Sequence, residues 1–196
     1  MKGILLGCVV VVAVAALVIG LAVAGSYNTL VKLDENVKSK WGQVENVYQR
    51  RADLVPNLVE TVKGAAAFEK DTFTAVTEAR AKVGQVNFNT VPNQQEMQKF
   101  QAAQDGLSSA LSRLMVVVEK YPDLKATQNF KDLQVQLEGT ENRIAVERKR
   151  FNDAAQEFNT ARRRFPTVFI ASLFGFAEKP YFQAAPGSEK APQVKF

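Results

Sequence analysis

The side chains that most often perform chemistry are scarce in this chain. Its 196 residues include no histidine and one cysteine, Cys8. These counts exclude zinc sites built from His and Cys, haem, iron–sulfur clusters, disulfides and every triad that needs an imidazole base. The sequence also lacks the glycine-rich nucleotide motifs, the GxSxG elbow and the acidic cluster of a calcium loop. We therefore expect no enzymatic activity, no cofactor and no metal.

Two charged residues nevertheless stand where apolar residues recur. Arg51 and Glu147 each interrupt a row of side chains spaced seven apart. Because an unpaired charge on a buried seam is costly, we expect them to pair with each other or with another seam charge such as Glu69. Pairs of this kind would fix the register between helices, and we favour that role over a ligand site.

The basic residues are a second candidate for function. The net charge is +5 and the pI is about 9.3, which permits binding to an anionic partner. Lys and Arg cluster at 50–51, 148–150 and 162–164. Three consecutive residues on a helix spread over about 200°, so none of these clusters forms one patch. We therefore interpret these clusters as parts of solvated helix faces on which Lys and Arg alternate with Glu. Nucleic acid is not an expected partner.

The elements that carry these residues are predicted to be helices. Between Pro56 and Pro166 the prolines leave three uninterrupted spans, 57–91, 93–121 and 123–165. Apolar residues recur every seventh position at Trp41, Tyr48, Val55 and Val62, at Phe100, Leu107, Leu114 and Tyr121, and at Phe130, Leu137, Ile144, Phe151, Phe158 and Phe165. Such rows are typical of coiled-coil-like seams, so we predict an all-α antiparallel helical bundle over 26–165.

The first helical stretch allows two readings. We prefer one long helix, kinked near Pro56 or Gly64 and ending near Val83, which gives three bundle helices and leaves 162–164 far from the membrane. A break at Pro56 or Lys63-Gly64 would give four helices and bring 162–164 near it. In the continuous reading the apolar stripe Leu30–Tyr48 lacks partners within the chain. That stripe predicts a homo-oligomer, held together by the membrane helix and the stalk over 26–48.

The chain begins with a predicted transmembrane helix. Residues 3–25 form an uncharged apolar run, which as a helix would span roughly 34 Å. Two processing alternatives exist: a signal-peptidase site at Ala22-Val23-Ala24 and a lipoprotein box at Leu5–Cys8. The apolar run is long for a secretory signal, and the lipoprotein box comes too early, so we favour an intact span.

The flanks of this span indicate its orientation. Lys32, Lys38 and Lys40 make the side after the span more positive, which favours a short outer N-terminus and a cytoplasmic bundle. Small residues four apart, Gly3/Gly7 and Ala16/Gly20/Ala24, could form a close helix–helix face. They could equally reflect the ordinary composition of a membrane helix.

The chain changes character after Arg164. Residues 166–182 are rich in aromatic side chains, and 183–196 has the composition of a flexible tail. The aromatic segment is predicted either to fold back and cap the bundle or to dock a partner. Its candidate residues are Phe169, Phe174, Phe176, Tyr181 and Phe182.

Several runs together resemble the LemA family. They are the stretch from Trp41 to Val59, Tyr121-Pro122-Asp123 with Gln128-Asn129-Phe130, Leu137 to Ala145, Leu173 to Phe176 and Lys179 to Phe182. The resemblance implies a bacterial inner-membrane protein with a single span, an outer N-terminus and a helical bundle, and it supplies no catalytic residues. The polar residues of these runs are candidates for interaction or register: Arg51, Asp53, Asn57, Glu141, Asn142 and Arg143.

These observations favour a membrane-anchored, non-enzymatic helical scaffold that self-associates. The alternative is an adaptor or regulator in membrane-linked signalling, which would bind an envelope protein through its bundle or its Phe-rich end. The two differ in what they hold: copies of themselves, or another protein.

Overall fold

The computed structural model describes residues 2–64, 69–86 and 90–183, with side chains from Gly7 onward. Its helices are α1 (Lys2–Lys63), α2 (Lys70–Gly84), α3 (Gln94–Val118), α4 (Pro122–Ala126), α5 (Gln128–Arg163) and α6 (Thr167–Leu173). The described residues contain no strand. The predicted all-α class is therefore confirmed.

The first helix, α1, joins the apolar N-terminal segment to the bundle without interruption. Its apolar side chains from Val9 to Leu21 are 55–68% exposed, and among the described residues it is the one helix long and apolar enough to cross a membrane. From Leu30 onward one stripe of the same helix is buried. The helix continues through Pro56, whose missing amide costs one hydrogen bond but does not end it.

The preferred reading of a continuous helix from 26 to 83 is wrong, and the four-helix alternative describes the chain. The helix α1 ends at Lys63, and α2 begins at Lys70 and returns alongside it, where Arg80 Nε donates to the carbonyl of Ala52 at 3.0 Å. The rows stay in phase across Pro56 because the helix continues there. They could not reveal the reversal that follows Lys63. Gly64 does not adopt the left-handed backbone of a glycine C-cap.

The other turns fall near the prolines that separate the predicted spans. The helix α2 ends at Gly84 and α3 begins at Gln94, two residues after Pro92. Asn93 caps α3: its side chain accepts from two backbone amides, and Glu96 returns a bond to the Asn93 amide. At Pro122, which separates the second and third spans, the chain forms a single helical turn, α4, with proline in its first turn.

The core has a distal half and a proximal half, the proximal half being the one nearer the apolar N-terminal segment. In the distal half α1, α2, α3 and α5 pack around side chains such as Val62, Val76 and Leu114. In the proximal half α1 and α5 are joined by the start of α3, by α6 and by residues 174–183. Because the chain runs up, down, up and down, Arg162–Arg164 lie at the proximal end, as the four-helix alternative predicted.

The stripe that was expected to lack partners is covered within the chain. Leu30, Val37, Trp41, Val44 and Tyr48 are all buried in the proximal core. The helix α5 and the segment 174–183, which we call the strap, lie against them. The prediction that this stripe lacks partners within the chain is therefore wrong, and it no longer supports a homo-oligomer.

Candidate functional site

A buried arginine joins three helices at the middle of the bundle. Arg51 on α1 is 2% exposed, and its Nη1 donates to Glu141 on α5 at 3.0 Å and to Ser108 on α3 at 2.9 Å. Its Nη2 donates to the carbonyl and to the side-chain oxygen of Gln104, and its guanidinium lies 5.0 Å from the Tyr48 ring centroid. These contacts hold α1, α3 and α5 in one register.

The environment of Arg51 is polar on one side and aromatic on the other. Gln104 is buried, whereas the Glu141 side chain is 43% exposed. Burial raises the pKa of the Tyr48 hydroxyl, although the positive charges of Arg148 and Arg51 oppose this shift. The cluster pairs both terminal nitrogens of this buried cation within the fold, whereas Arg51 Nε has no hydrogen-bond partner among the described residues. Pairing of the charge from within the fold is what a structural register device requires.

Arg51 is paired within the fold, but with neither of the predicted seam charges. The predicted candidates, Glu147 and Glu69, both lie elsewhere: Glu147 bonds Arg150 on its own helix at 2.7 Å, and Glu69 faces Lys120 at 3.7 Å. Glu141 stood among the candidate residues without being linked to Arg51. The reversal after Lys63 determines which acidic residue reaches it.

The other candidate polar residues lie on the surface. Asp53 is exposed and accepts from Gln49 on the same helix at 2.8 Å. Asn57 is exposed, and its carbonyl accepts from Thr61 at 2.8 Å. Asn142 and Arg143 are exposed on α5 beside Glu141. Among the six, the structure therefore brings together Arg51 and Glu141.

The strap is held against α5 by two asparagines spaced one heptad apart. Asn159 accepts from the backbone amide of Lys179 and donates to its carbonyl, both at 2.9 Å, and also donates to the Tyr181 hydroxyl at 3.0 Å. Asn152 makes the same pair of bonds to the backbone of Phe182, at 2.9 and 3.1 Å. A short extended segment has no ladder of its own, so these amides satisfy its backbone polar groups.

The end of the strap closes an aromatic cluster. The Phe182 ring stacks on Trp41 with centroids 6.2 Å apart and meets Phe151 at 5.6 Å. Trp41 also meets Phe100 edge to face at 5.2 Å. Gln183, which was assigned to the flexible tail, accepts through its carbonyl from Gln101 at 3.1 Å and from Arg148 at 3.0 Å. Residues 184–196 lie outside the described part of the chain.

An ion pair ties the strap to α1. The Lys179 ammonium lies 2.5 Å from Asp34, which also pairs with Lys38 at 3.0 Å. Burial works to raise the pKa of Asp34, but the ammonium groups of Lys179 and Lys38 outweigh it and hold that pKa below its ordinary value. The carboxylate is therefore stabilised in its charged form.

The candidate aromatic residues divide into two groups. Phe182 is buried, and Phe176 and Tyr181 are partly buried against the proximal core. Phe169 is 65% exposed and Phe174 53% exposed. The first group covers the core, as expected for a segment that caps the bundle. The second group remains uncovered, as expected for a segment that docks a partner.

Sequence reasoning missed the residues that fasten the strap. Asn152 and Asn159 each follow a phenylalanine of the longest apolar row, and their spacing of seven was the available signal. Asparagine is a poor residue for a helix interior, so two of them beside a core row indicate partners outside the helix. Asp34 and Lys179 gave no such signal, because their pairing depends on the path of the strap.

A surface cleft lies between α1, α2 and α3. It has a volume of about 460 Å³ and is lined by Glu45, Tyr48, Arg80 and Gln104 among others. Burial raises the pKa of Glu45. The residues that line the cleft include no Ser, Thr, Cys or Lys, and the described residues contain no group of three His, Cys, Asp or Glu side chains that could hold a metal ion.

Fold and contacts together define a class of protein: a single apolar N-terminal helix, continuous with a four-helix bundle and locked by a buried arginine and a C-terminal strap. The chain belongs to the LemA family, whose model matches residues 40–196. The resemblance noted in the sequence is thereby confirmed.

Three relatives are similar along most of the chain. Magnetosome protein MamQ 2 of Paramagnetospirillum magneticum is 30% identical over 181 residues, which cover 83% of this chain and 66% of the relative. Magnetosome protein MamQ of Magnetospirillum gryphiswaldense is 29% identical over 189 residues, with 86% and 70% covered. Protein LemA of Metamycoplasma hominis is 22% identical over 162 residues, with 82% and 70% covered. The chain spans about two thirds of the length of these relatives.

Proposed function

We propose that this protein is a membrane-anchored, non-enzymatic scaffold that holds a rigid helical bundle against one face of a bilayer. The continuity of α1 carries the proposal. One helix supplies both the exposed apolar segment and the buried stripe from Leu30 to Val62, with no linker between them. A flexible tether would suit a protein that searches for substrates, whereas a continuous helix suits one that keeps a fixed height and direction.

The polar cluster around Arg51 supports the non-enzymatic part. Its side chains bond one another across three helices and leave Arg51 2% exposed. A catalytic group must reach a substrate, and this guanidinium is enclosed by its own partners. The cluster is therefore a device for holding the bundle together.

Orientation and location extend the proposal. The fold brings Arg162–Arg164 to the proximal end, on the same side of the span as Lys32, Lys38 and Lys40. This adds basic residues to the side already favoured as cytoplasmic. We place the bundle in the cytoplasm and the short N-terminus outside, in a bacterial inner membrane. A membrane-impermeant maleimide should fail to label Asn142→Cys in intact cells and should label it after the membrane is opened.

Self-association is proposed through the membrane helix instead of the covered stripe. Gly20 has open space around its Cα on α1 and stands four residues from Ala16 and Ala24. Light scattering in detergent should give an oligomer for the native chain and a smaller species for Gly20→Leu. Ala22→Leu, which adds similar bulk about 200° away around the helix, should leave the oligomer intact. A native chain that measures as a monomer would contradict this part.

The adaptor function remains the second candidate, because Phe169 and Phe174 are exposed. Crosslinking in cells separates the two functions. A scaffold should give mainly adducts between copies of this chain. An adaptor should give adducts with one other protein, and these should disappear in Phe169→Ser.

A further inference from the structure

The helix α6 is apolar on both of its faces. Its inner residues Ile170 and Ala171 are buried against the proximal core. Its outer row is uncovered: Phe169 is 65% exposed and Leu173 77%, with Val168 at 40% beside them. These residues recur at intervals of one helical turn. Phe165, in the turn before α6, is 82% exposed and extends this row into one stripe, because its ring meets that of Phe169 at 6.0 Å. On a helix facing water this stripe would be polar.

The stripe lies level with the end of the predicted membrane span. Tyr27, two residues after that span, meets the ring of Phe174 at 4.9 Å and that of Phe176 at 5.8 Å. Val23, inside the span, is partly buried against the proximal core. The uncovered face of α6 is thus continuous with the exposed apolar surface of α1, at the depth where aromatic residues meet lipid headgroups.

The charges around the stripe fit the same position. Arg162 donates through Nε to the carbonyl of Phe176 at 2.7 Å, and Arg163 pairs with Glu178 at 2.6 Å. Arg164, just before the stripe, is exposed. Arg162 and Arg163 therefore share the single Glu178 carboxylate. The positive charge that it leaves unmatched stands where lipid phosphates would lie.

We propose that α6 and Phe165 lie in the interface of the same bilayer that α1 spans, with Phe165, Phe169 and Leu173 inserted among the lipids. Seven helical residues measure only about 10 Å, so the segment lies along the membrane surface and does not cross it. The proximal end of the bundle then has two attachments, a span and an interfacial helix. Two attachments prevent the bundle from rotating about α1, which a single span does not. The inference rests on the membrane anchoring proposed above.

Spin labels at single cysteines test this in the full chain, with Cys8→Ser as background and nanodiscs that contain anionic lipid. Labels at Phe169→Cys and Leu173→Cys should collide more with oxygen than with a water-soluble nickel reagent. Val135→Cys is the matched control, because Val135 is 67% exposed and apolar but lies near the distal end of α5; its label should favour the nickel reagent. A label at Val12→Cys reports the span itself.

The outcomes separate this inference from the anchoring on which it rests. Lipid exposure at positions 12, 169 and 173 supports both. Lipid exposure at 12 with water exposure at 169 and 173 overturns the interfacial helix and leaves the anchor intact. Water exposure at 12 overturns the anchor. Labels at 169 and 173 that neither reagent reaches would mean that protein covers the stripe, and would overturn insertion into lipid in favour of a docked partner or a second copy.

Discussion

Tyr27 and Phe174 meet edge to face with their ring centroids 4.9 Å apart, although one follows the N-terminal apolar segment and the other follows the last helix. This contact brings the end of the apolar segment and the end of α6 to the same level. Because of it, the C-terminal segment returns along the bundle and covers the part of the proximal core that α1 and α5 leave open. The proposed membrane surface of the protein is built from both ends of its sequence.

Replacing the buried arginine should destabilise the bundle. Arg51→Ala should lower the free energy of unfolding by about 3 kcal/mol, because Gln104 and Glu141 lose the cation that they were positioned to bind. Arg50→Ala is the matched control, since Arg50 is exposed on the same turn, and it should change stability by less than about 0.5 kcal/mol. Chemical denaturation followed by circular dichroism measures both. Equal stabilities would remove Arg51 as a register device.

Glu141 should matter less than Arg51. Its side chain is 43% exposed, so Glu141→Gln leaves a group that water can still solvate and that can still accept a hydrogen bond from the arginine. We expect a loss of about 1 kcal/mol, and Arg51→Ala with Glu141→Gln should cost less than the sum of the two single changes. Additive losses would show that the two side chains are not coupled.

The sequence was sufficient to predict the all-α class, the apolar span and the seams, because these depend on periodicity within each helix. It was not sufficient to predict where the chain reverses. The row Trp41–Val62 stays in phase up to the last turn of α1, and the reversal after Lys63 leaves no mark in it. The place of this reversal determines both which acidic residue pairs with Arg51 and at which end of the bundle Arg162–Arg164 lie.

The strap shows a second limit of the sequence. Its aromatic residues predicted a segment that folds back or docks, but the path was set by hydrogen bonds from Asn152 and Asn159 to its backbone. Backbone groups look the same at every residue, so the sequence of 174–183 does not show which of them will be bound. The signal for the path of the strap lay instead in the two asparagines, seven residues apart on α5.

Removing one asparagine should release part of the strap without unfolding the bundle. Asn159→Ala leaves the amide and carbonyl of Lys179 without partners, at a cost of about 1–3 kcal/mol for each group that stays buried. Because an extended strap can detach, hydrogen exchange should quicken at 176–182 and stay unchanged in α3. Asn142→Ala, an exposed asparagine on the same helix, is the control. Unchanged exchange in Asn159→Ala would show that packing alone holds the strap.

Docking of the strap should weaken in acid. The pKa of Asp34 lies below its ordinary value of 3.8 in the folded protein, so its pairing with Lys179 stabilises docking above about pH 4. That contribution disappears as the pH falls through the lowered pKa. Trp41, the only tryptophan, stacks on Phe182 and reports the change through its fluorescence. The signal should shift below pH 4 in the native chain, and Asp34→Asn should already show the shift at pH 7. A native signal that stays flat down to pH 2 would count against the ion pair.

A single distance within α1 shows whether the membrane span and the bundle are joined by one rigid helix. Leu21 and Ser39 are both exposed on α1 and lie eighteen residues apart, which is five complete turns and a rise of about 27 Å. Pulsed electron–electron resonance between spin labels at Leu21→Cys and Ser39→Cys, in nanodiscs on the Cys8→Ser background and diluted with unlabelled chain, should give one narrow peak near that distance. A broad distribution, or a peak several ångströms shorter, would mean that the helix breaks where it leaves the membrane and that the bundle is not held rigidly by its anchor.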